Sequence, residues 1–175
     1  MQTNLWRALC AASLLWPAFL LWPAVPAAAG PNAAKAAVPP ARREVQAIYT
    51  KLDTAIDQKD VDTAFDYDAD DCEYYDKKGH LLPEGSGRQE VVDLLDQVDT
   101  VKEATVITSF TGSDAEATVT AKTHVVLFAS NNANGRAIKI AFDDISRDYW
   151  LKTGDGWKRK RSREIKNKVA LHKNF

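Results

Sequence analysis

Between Pro40 and Ile56 the apolar positions fall at Val45, Ile48, Tyr49, Leu52 and Ile56. That three-and-four spacing predicts one amphipathic helix. Asp60 stands where it would cap a second, short helix carrying Val61, Ala64 and Phe65 on one side. Cys72–Asp76 reads as a short strand that turns at Lys77-Lys78-Gly79. Ser86 and Gln89 have capping-box spacing and predict a third helix, with Val91, Leu94, Leu95 and Val98 on its buried face. From Val101 the period shortens to two. Glu103–Phe110, Glu116–Ala129, Arg136–Lys152 and Gly156–His172 are four long strands, joined by turns at 111–114, 131–135 and 154–155. Helices first and a run of antiparallel hairpins after them give an α+β class.

The first 29 residues have a different character. Arg7 precedes an apolar run from Ala8 to Leu21, and small residues follow at Ala27 and Ala29. This pattern predicts a secretory signal peptide cut after Ala29. Residues 30–41 form an Ala/Pro-rich linker, 42–170 a single domain and 171–175 a tail. The expected location is therefore periplasmic or secreted, with no membrane attachment once the signal is gone. Cleavage removes Cys10 and leaves Cys72 alone, so no disulfide forms within the chain and stability must come from burial. The formal net charge of −1 does not favour a polyanionic partner such as nucleic acid. No zinc-ligand spacing or phosphate-cradling glycine loop is present, and no cofactor is expected.

One stretch, Asp148–Ile165 (DYWLKTGDGWKRKRSREI), holds a turn followed by a basic block from Lys158 to Arg163. With Gly154 and Asp155 as a two-residue turn, Trp150 faces Arg159, Asp148 faces Arg161 and Tyr149 faces Lys160. Strand alternation then divides the basic run between two faces. Trp150–Arg159 is a cation–π pair and Asp148–Arg161 an ion pair. A β-bulge would shift this register.

The order of elements resembles the nuclear transport factor 2-like, or SnoaL-like, superfamily. The matching segments are Asp60-Val61-Asp62, Tyr67–Asp76 (YDADDCEYYD), Gly85–Leu95 (GSGRQEVVDLL) and Arg147–Glu164 (RDYWLKTGDGWKRKRSRE). The resemblance implies a cone: a curved antiparallel sheet wrapped around three helices, with a pocket at the open end. It also implies a homodimer through the outer face of the sheet.

Within that resemblance, a gapless overlay on the ketosteroid isomerases sets their proton-shuttling aspartate on Asp76. Their oxyanion-holding tyrosine falls on Leu52, which donates nothing; Tyr49, one turn earlier, is the substitute. His124 is similar to the histidine that dehydratases of the superfamily pair with aspartate. Asp76, His124 and Tyr49 are thus the catalytic candidates. Tyr67, Tyr74, Asp144, Asp148, Trp150 and Arg161 are the ligand-binding candidates, with Arg161 as clamp for a weakly anionic ligand. Asp143 and Asp144 point to opposite faces and cannot act as a pair. The leading expectation is an exported small-molecule-binding or scaffold domain without catalysis, its ligand apolar or weakly anionic. A small isomerase- or dehydratase-type enzyme using Asp76 is the second. A binder of anionic surfaces or nucleic acid through Lys158–Arg163 is the third.

Overall fold

A computed structural model describes residues 38–131 and 136–172. The expected leader, most of the linker, the turn at 132–135 and residues 173–175 lie outside the described residues. Three helices, α1 (Pro40–Asp57), α2 (Val61–Phe65) and α3 (Ser86–Asp96), accompany five strands. The strands are β1 (Asp68–Tyr75), β2 (Thr100–Gly112), β3 (Glu116–Asn131), β4 (Arg136–Thr153) and β5 (Gly156–His172). They form one sheet in the order β1-β5-β4-β3-β2. The four long strands are antiparallel, whereas β1 runs parallel to β5, so the sheet is mixed. Among the described residues no helix is long and apolar enough to cross a membrane.

Helix α1 has proline in its first turn, where the missing N–H costs nothing. Its stripe of Val45, Ile48, Tyr49, Leu52 and Ile56 is buried on the concave face of the sheet. Two apolar clusters result. The first joins Val45, Ile48, Tyr49 and Leu52 to Ile107, Val119, Trp150 and Trp157. The second joins Ala55, Ile56 and Ala64 to Leu95, Val98, Val101, Val125 and Leu127. Asp60 caps α2 by accepting from the Thr63 N–H at 3.1 Å.

Among the described residues the outer edge of β2 has no partner strand, and α1 replaces one with side chains. Gln46 donates to the Thr105 carbonyl and accepts from the Ile107 N–H, both at 2.8 Å. Asp53 accepts from the Thr105 N–H at 2.8 Å and Asp57 from the Glu103 N–H at 2.7 Å. Arg42 donates to the Ile107 carbonyl at 2.8 Å. A polar stripe of one helix thereby closes an edge that would otherwise template pairing with another chain.

Three expectations need correction. The capping box of α3 does not form: Gly85, at φ +74°, is the cap, Ser86 is already helical and its Oγ is buried without a partner. Gln89 bonds Asp93 instead. The strand expected at Cys72–Asp76 begins earlier, at Asp68, because it pairs along β5. The last hairpin keeps its two-residue turn and its Trp150–Arg159 pairing, but β5 then bulges twice. One extra residue between Arg159 and Arg161 sets Tyr149 opposite Arg161 and Asp148 opposite Ser162. A second bulge sets Ser146 opposite Glu164 and Ile145 opposite Lys166. A bulge inserts one unpaired residue and so exchanges the faces of everything after it. Asp148–Arg161 is therefore not a pair.

Candidate functional site

Strand alternation, read from the buried positions, assigns the concave face. It takes Val101, Glu103, Thr105 and Ile107 from β2 and Val119, Ala121, Thr123, Val125 and Leu127 from β3. From β4 it takes the even positions from Ile140 to Trp150, and from β5 Trp157, Arg159, Ser162, Glu164 and Asn167. Between the two apolar clusters this face turns polar on every strand. Glu103, Thr105, Thr123, Asp144, Ser146, Asp148, Arg159 and Ser162 form a band across the sheet, completed by Asp68 and Tyr74 of β1.

The band has a sealed half. Trp150 is fully buried and Asp148 is 1% exposed. Asp148 accepts from the Tyr49 hydroxyl, from Ser162 Oγ at 2.7 Å and from Ser146 Oγ at 3.1 Å. The Trp150 indole donates to the Tyr49 oxygen at 3.3 Å, and the two rings meet edge to face. Burial, followed by the Asp148 charge, holds the Tyr49 hydroxyl well above the usual phenol range. Arg159 lies 5.8 Å from the Trp150 ring centre and 5.6 Å from that of Tyr74. It donates to Asp68 at 2.7 Å and to the Tyr74 oxygen at 3.0 Å, while Tyr74 donates to Asp68. A buried guanidinium is thus matched by carboxylates and stacked on rings, the arrangement that makes burying a charge tolerable. Cys72 lies close by, and burial pushes its thiol up to about 12.

The other half is open. Asp144, opposite Thr123 and Asn167, is half-buried. Its Oδ1 is shielded from solvent and has no hydrogen-bond partner. Burial, then the neighbouring Glu164 carboxylate, raises its pKa to about 6. The second apolar cluster is only partly covered: Phe142, two positions along β4 from Asp144, packs on it with Val91, Leu94 and Phe65, and all four remain half-exposed. At the β2 end, Glu103 is pushed up to about 8 by burial and by Asp53 and Asp57. Thr105 Oγ1 lies 2.7 Å from Asp53 and 3.0 Å from Thr123 Oγ1, linking α1, β2 and β3.

The residues singled out from sequence are distributed as follows. Tyr49, Asp148 and Trp150 share the sealed network, and Tyr74 joins it through Arg159. Asp144 occupies the open half. Tyr67 packs against the first cluster, with its hydroxyl bonded by Lys51 at 3.1 Å. Asp76 closes a turn, its carboxylate accepting from the His80 N–H at 2.8 Å and facing the His80 ring at 3.1 Å. Those bonds hold its pKa below the usual carboxylate value. His124 is opposite Ala104 and Asp143 on the convex face, its Nδ1 2.8 Å from Asp143. Arg161 is convex too, bonded to Glu73 at 2.9 Å and stacked on Tyr75. Asp76, His124 and Tyr49 are thus not brought together, and the proposed clamp is on the other side of the sheet from Asp144. Sequence reasoning passed over Glu103, Thr123 and the central role of Arg159. Their signal was a polar residue where strand alternation calls for an apolar one.

No family model and no curated protein matches the chain. Solved structures do. A member of the NTF2-like family from Streptomyces avermitilis is 12% identical, with 71% of this chain and 94% of that one covered, at TM-score 0.54. A protein with a cystatin-like fold from Nostoc punctiforme is 17% identical, with 70% and 88% covered, at TM-score 0.52. A hexachlorocyclohexane dehydrochlorinase, LinA type 2, is 10% identical, with 77% and 91% covered, at TM-score 0.57. A curved five-stranded sheet over three helices, a polar band on its concave face and these likenesses lead to one statement: the chain has the nuclear transport factor 2-like, SnoaL-like fold.

Proposed function

We propose that this is an exported binding domain that takes a small molecule bearing a protonated amine into the open half of the cone. The observation that carries this reading is Asp144, a carboxyl with an unpartnered, shielded oxygen, two positions along β4 from half-exposed Phe142 on the same face. A carboxylate in that state gains more from an ammonium partner than from water. Arg159, the guanidinium of the concave band, is already committed to Asp68 and Tyr74. An anionic ligand would meet the carboxylates of Asp144 and Glu164 there, so the ligand charge expected from an Arg161 clamp is reversed. The absence of catalysis is part of the proposal. The hydroxyls of Tyr49, Tyr74, Ser146 and Ser162 all donate to Asp148 or Asp68, leaving none of these four to hold a developing oxyanion.

The test is calorimetric titration with 2-phenylethylamine and with 3-phenylpropionate near pH 7.5. One charge-assisted hydrogen bond is worth about 1.5–3 kcal/mol, a preference of about tenfold to a hundredfold for the amine. Asp144→Asn should remove that preference. Equal or stronger binding of the acid would overturn the reading.

A second reading keeps the same carboxyl but gives it a proton to move. A pKa of about 6 suits a general base near neutral pH, and LinA is by name a dehydrochlorinase. Under that reading the base is Asp144, not Asp76, whose oxygens are engaged in a turn. Hydrogen–deuterium exchange of a bound ketone's α-protons, lost in Asp144→Asn, would favour it over simple binding.

Export and self-association remain parts of the proposal with their own tests. N-terminal sequencing of the protein from its host should begin at Gly30. Sedimentation equilibrium should give a dimer, centred on the β2–β3 half of the convex face, where Val106 and Phe128 are exposed.

A further inference from the structure

The two bulges in β5 have an effect on the convex face that is independent of the cone. They keep five successive outward positions of β5 basic. Lys158, Arg161, Arg163, Lys166 and Lys168 are opposite Leu151, Tyr149, Arg147, Ile145 and Asp143 in turn. Uninterrupted alternation from Lys158 would have placed Ser162 and Glu164 in this row. Instead those two are concave, and the row from Lys158 to Lys168 is cationic. Successive outward residues on a strand are about 6.6 Å apart, so the four intervals of the row extend for about 26 Å.

Few of these charges are neutralised within the chain. Arg161 pairs with Glu73. Lys158 and Arg163 donate to the backbone carbonyls of Asp66 and Lys77, which carry no net charge. Lys166, Lys168 and Arg147 make no ion pair among the described residues, and all three are exposed. Arg147 and Arg163 stand directly opposite one another across the β4–β5 ladder. Like charges in that position destabilise a sheet.

We propose that this row is a binding site for a linear polyanion, a flexible polymer bearing phosphate or sulfate groups, with one anionic group bridging Arg147 and Arg163. A thread matches the shape better than a plane does. The row is one residue wide, and the adjoining outward positions carry Asp143, Glu116 and Glu73. An anionic membrane would press against those carboxylates along with the cations, whereas a polymer follows the row and avoids them.

Long-chain inorganic polyphosphate is the probe, with orthophosphate and vesicles of anionic phospholipid as the other arms. With four to five cations engaged, log K should fall with log salt at a slope of about −3, so a fourfold rise in salt weakens binding about 60-fold. The double variant Arg147→Gln/Arg163→Gln should make the slope shallower by about 1.4. Lys166→Gln/Lys168→Gln should do the same without touching the opposed arginines, which keeps the test usable if the first variant folds poorly. A second readout separates this from nonspecific charge: Arg163→Gln alone should raise the thermal midpoint of the free protein, since it relieves the opposition. Absence of polyphosphate binding at low salt would sink the proposal, as would a salt slope unchanged by both double variants. Binding to vesicles without binding to the free polymer would assign the row to a membrane surface and refute the polymer site.

Discussion

Glu103→Gln isolates the electrostatic cost of the polar band. Glu103 is on the concave face of β2 between Asp53 and Asp57, with its ordinary value of 4.5 pushed up to about 8. The folded chain therefore holds a proton at this site that the unfolded chain has released. Stability changes with pH in proportion to protons bound unfolded minus protons bound folded, which is negative here. The favourable contribution is complete below about pH 4.5 and is lost progressively as pH rises to about 8, after which it changes no further. The full shift of about 3.5 units corresponds to an upper bound of about 5 kcal/mol. Asp144, at about 6, shares the lower part of that window. Between pH 6 and 8 the slope due to Glu103 alone is about 1.4 kcal/mol per unit, or about 2–3 kcal/mol in all. Glutamine keeps the shape and the donor toward Asp53 but cannot ionise. Urea unfolding at pH 6, 7 and 8 should show the variant gaining about 2–3 kcal/mol on the wild type across the series. Parallel curves would show that Glu103 titrates as an ordinary carboxyl and that the band is wetter than its burial implies.

Three further outcomes follow from other parts of the structure. Arg159→Met removes the cation between Asp68 and Asp148 and should cost about 3–5 kcal/mol in urea unfolding, the range for breaking a buried pair from one side; a cost below 1 kcal/mol would contradict the network. Gln46→Ala deletes two hydrogen bonds to the free edge of β2 and should destabilise by about 1–3 kcal/mol, with faster amide exchange at Ile107; unchanged exchange there would mean that α1 does not close the edge. Cys72, with its thiol raised to about 12, should resist iodoacetamide at pH 8 in the folded protein and react once urea unfolds it; prompt labelling of the native chain would refute that burial.

The helix stripe at Val45–Ile56 and the change to period two at Val101 were enough to give the elements and their order. Both signals come from one-sided burial, which writes itself into local spacing. The Trp150–Arg159 pairing was legible too, since a Gly-Asp turn fixes register for the first few residues beyond it. What followed was not. Nothing local in Arg159–Glu164 marks a bulge, because the extra residue, Lys160, is as polar as its neighbours. Its position is set by the need to bury Arg159 against Asp68 while turning Arg161 out to Glu73. The site suffered the same way. Asp76 and His124 attracted attention as residue types, yet one staples a turn and the other lies on the convex face. Asp144 was named from the sequence, but Glu103 was distinguishable only once the concave face was known, by being acidic at an inward position.

The central claim is that the concave band holds a carboxyl waiting for a cation, and carbon-13 NMR titration of the Asp144 side-chain carboxyl tests it most directly. The free protein should titrate near 6. Saturation with 2-phenylethylamine should lower that value by a unit or more, because an ammonium stabilises the ionised form. A carboxyl that titrates near 3.8 and does not move when the amine is added would contradict the account.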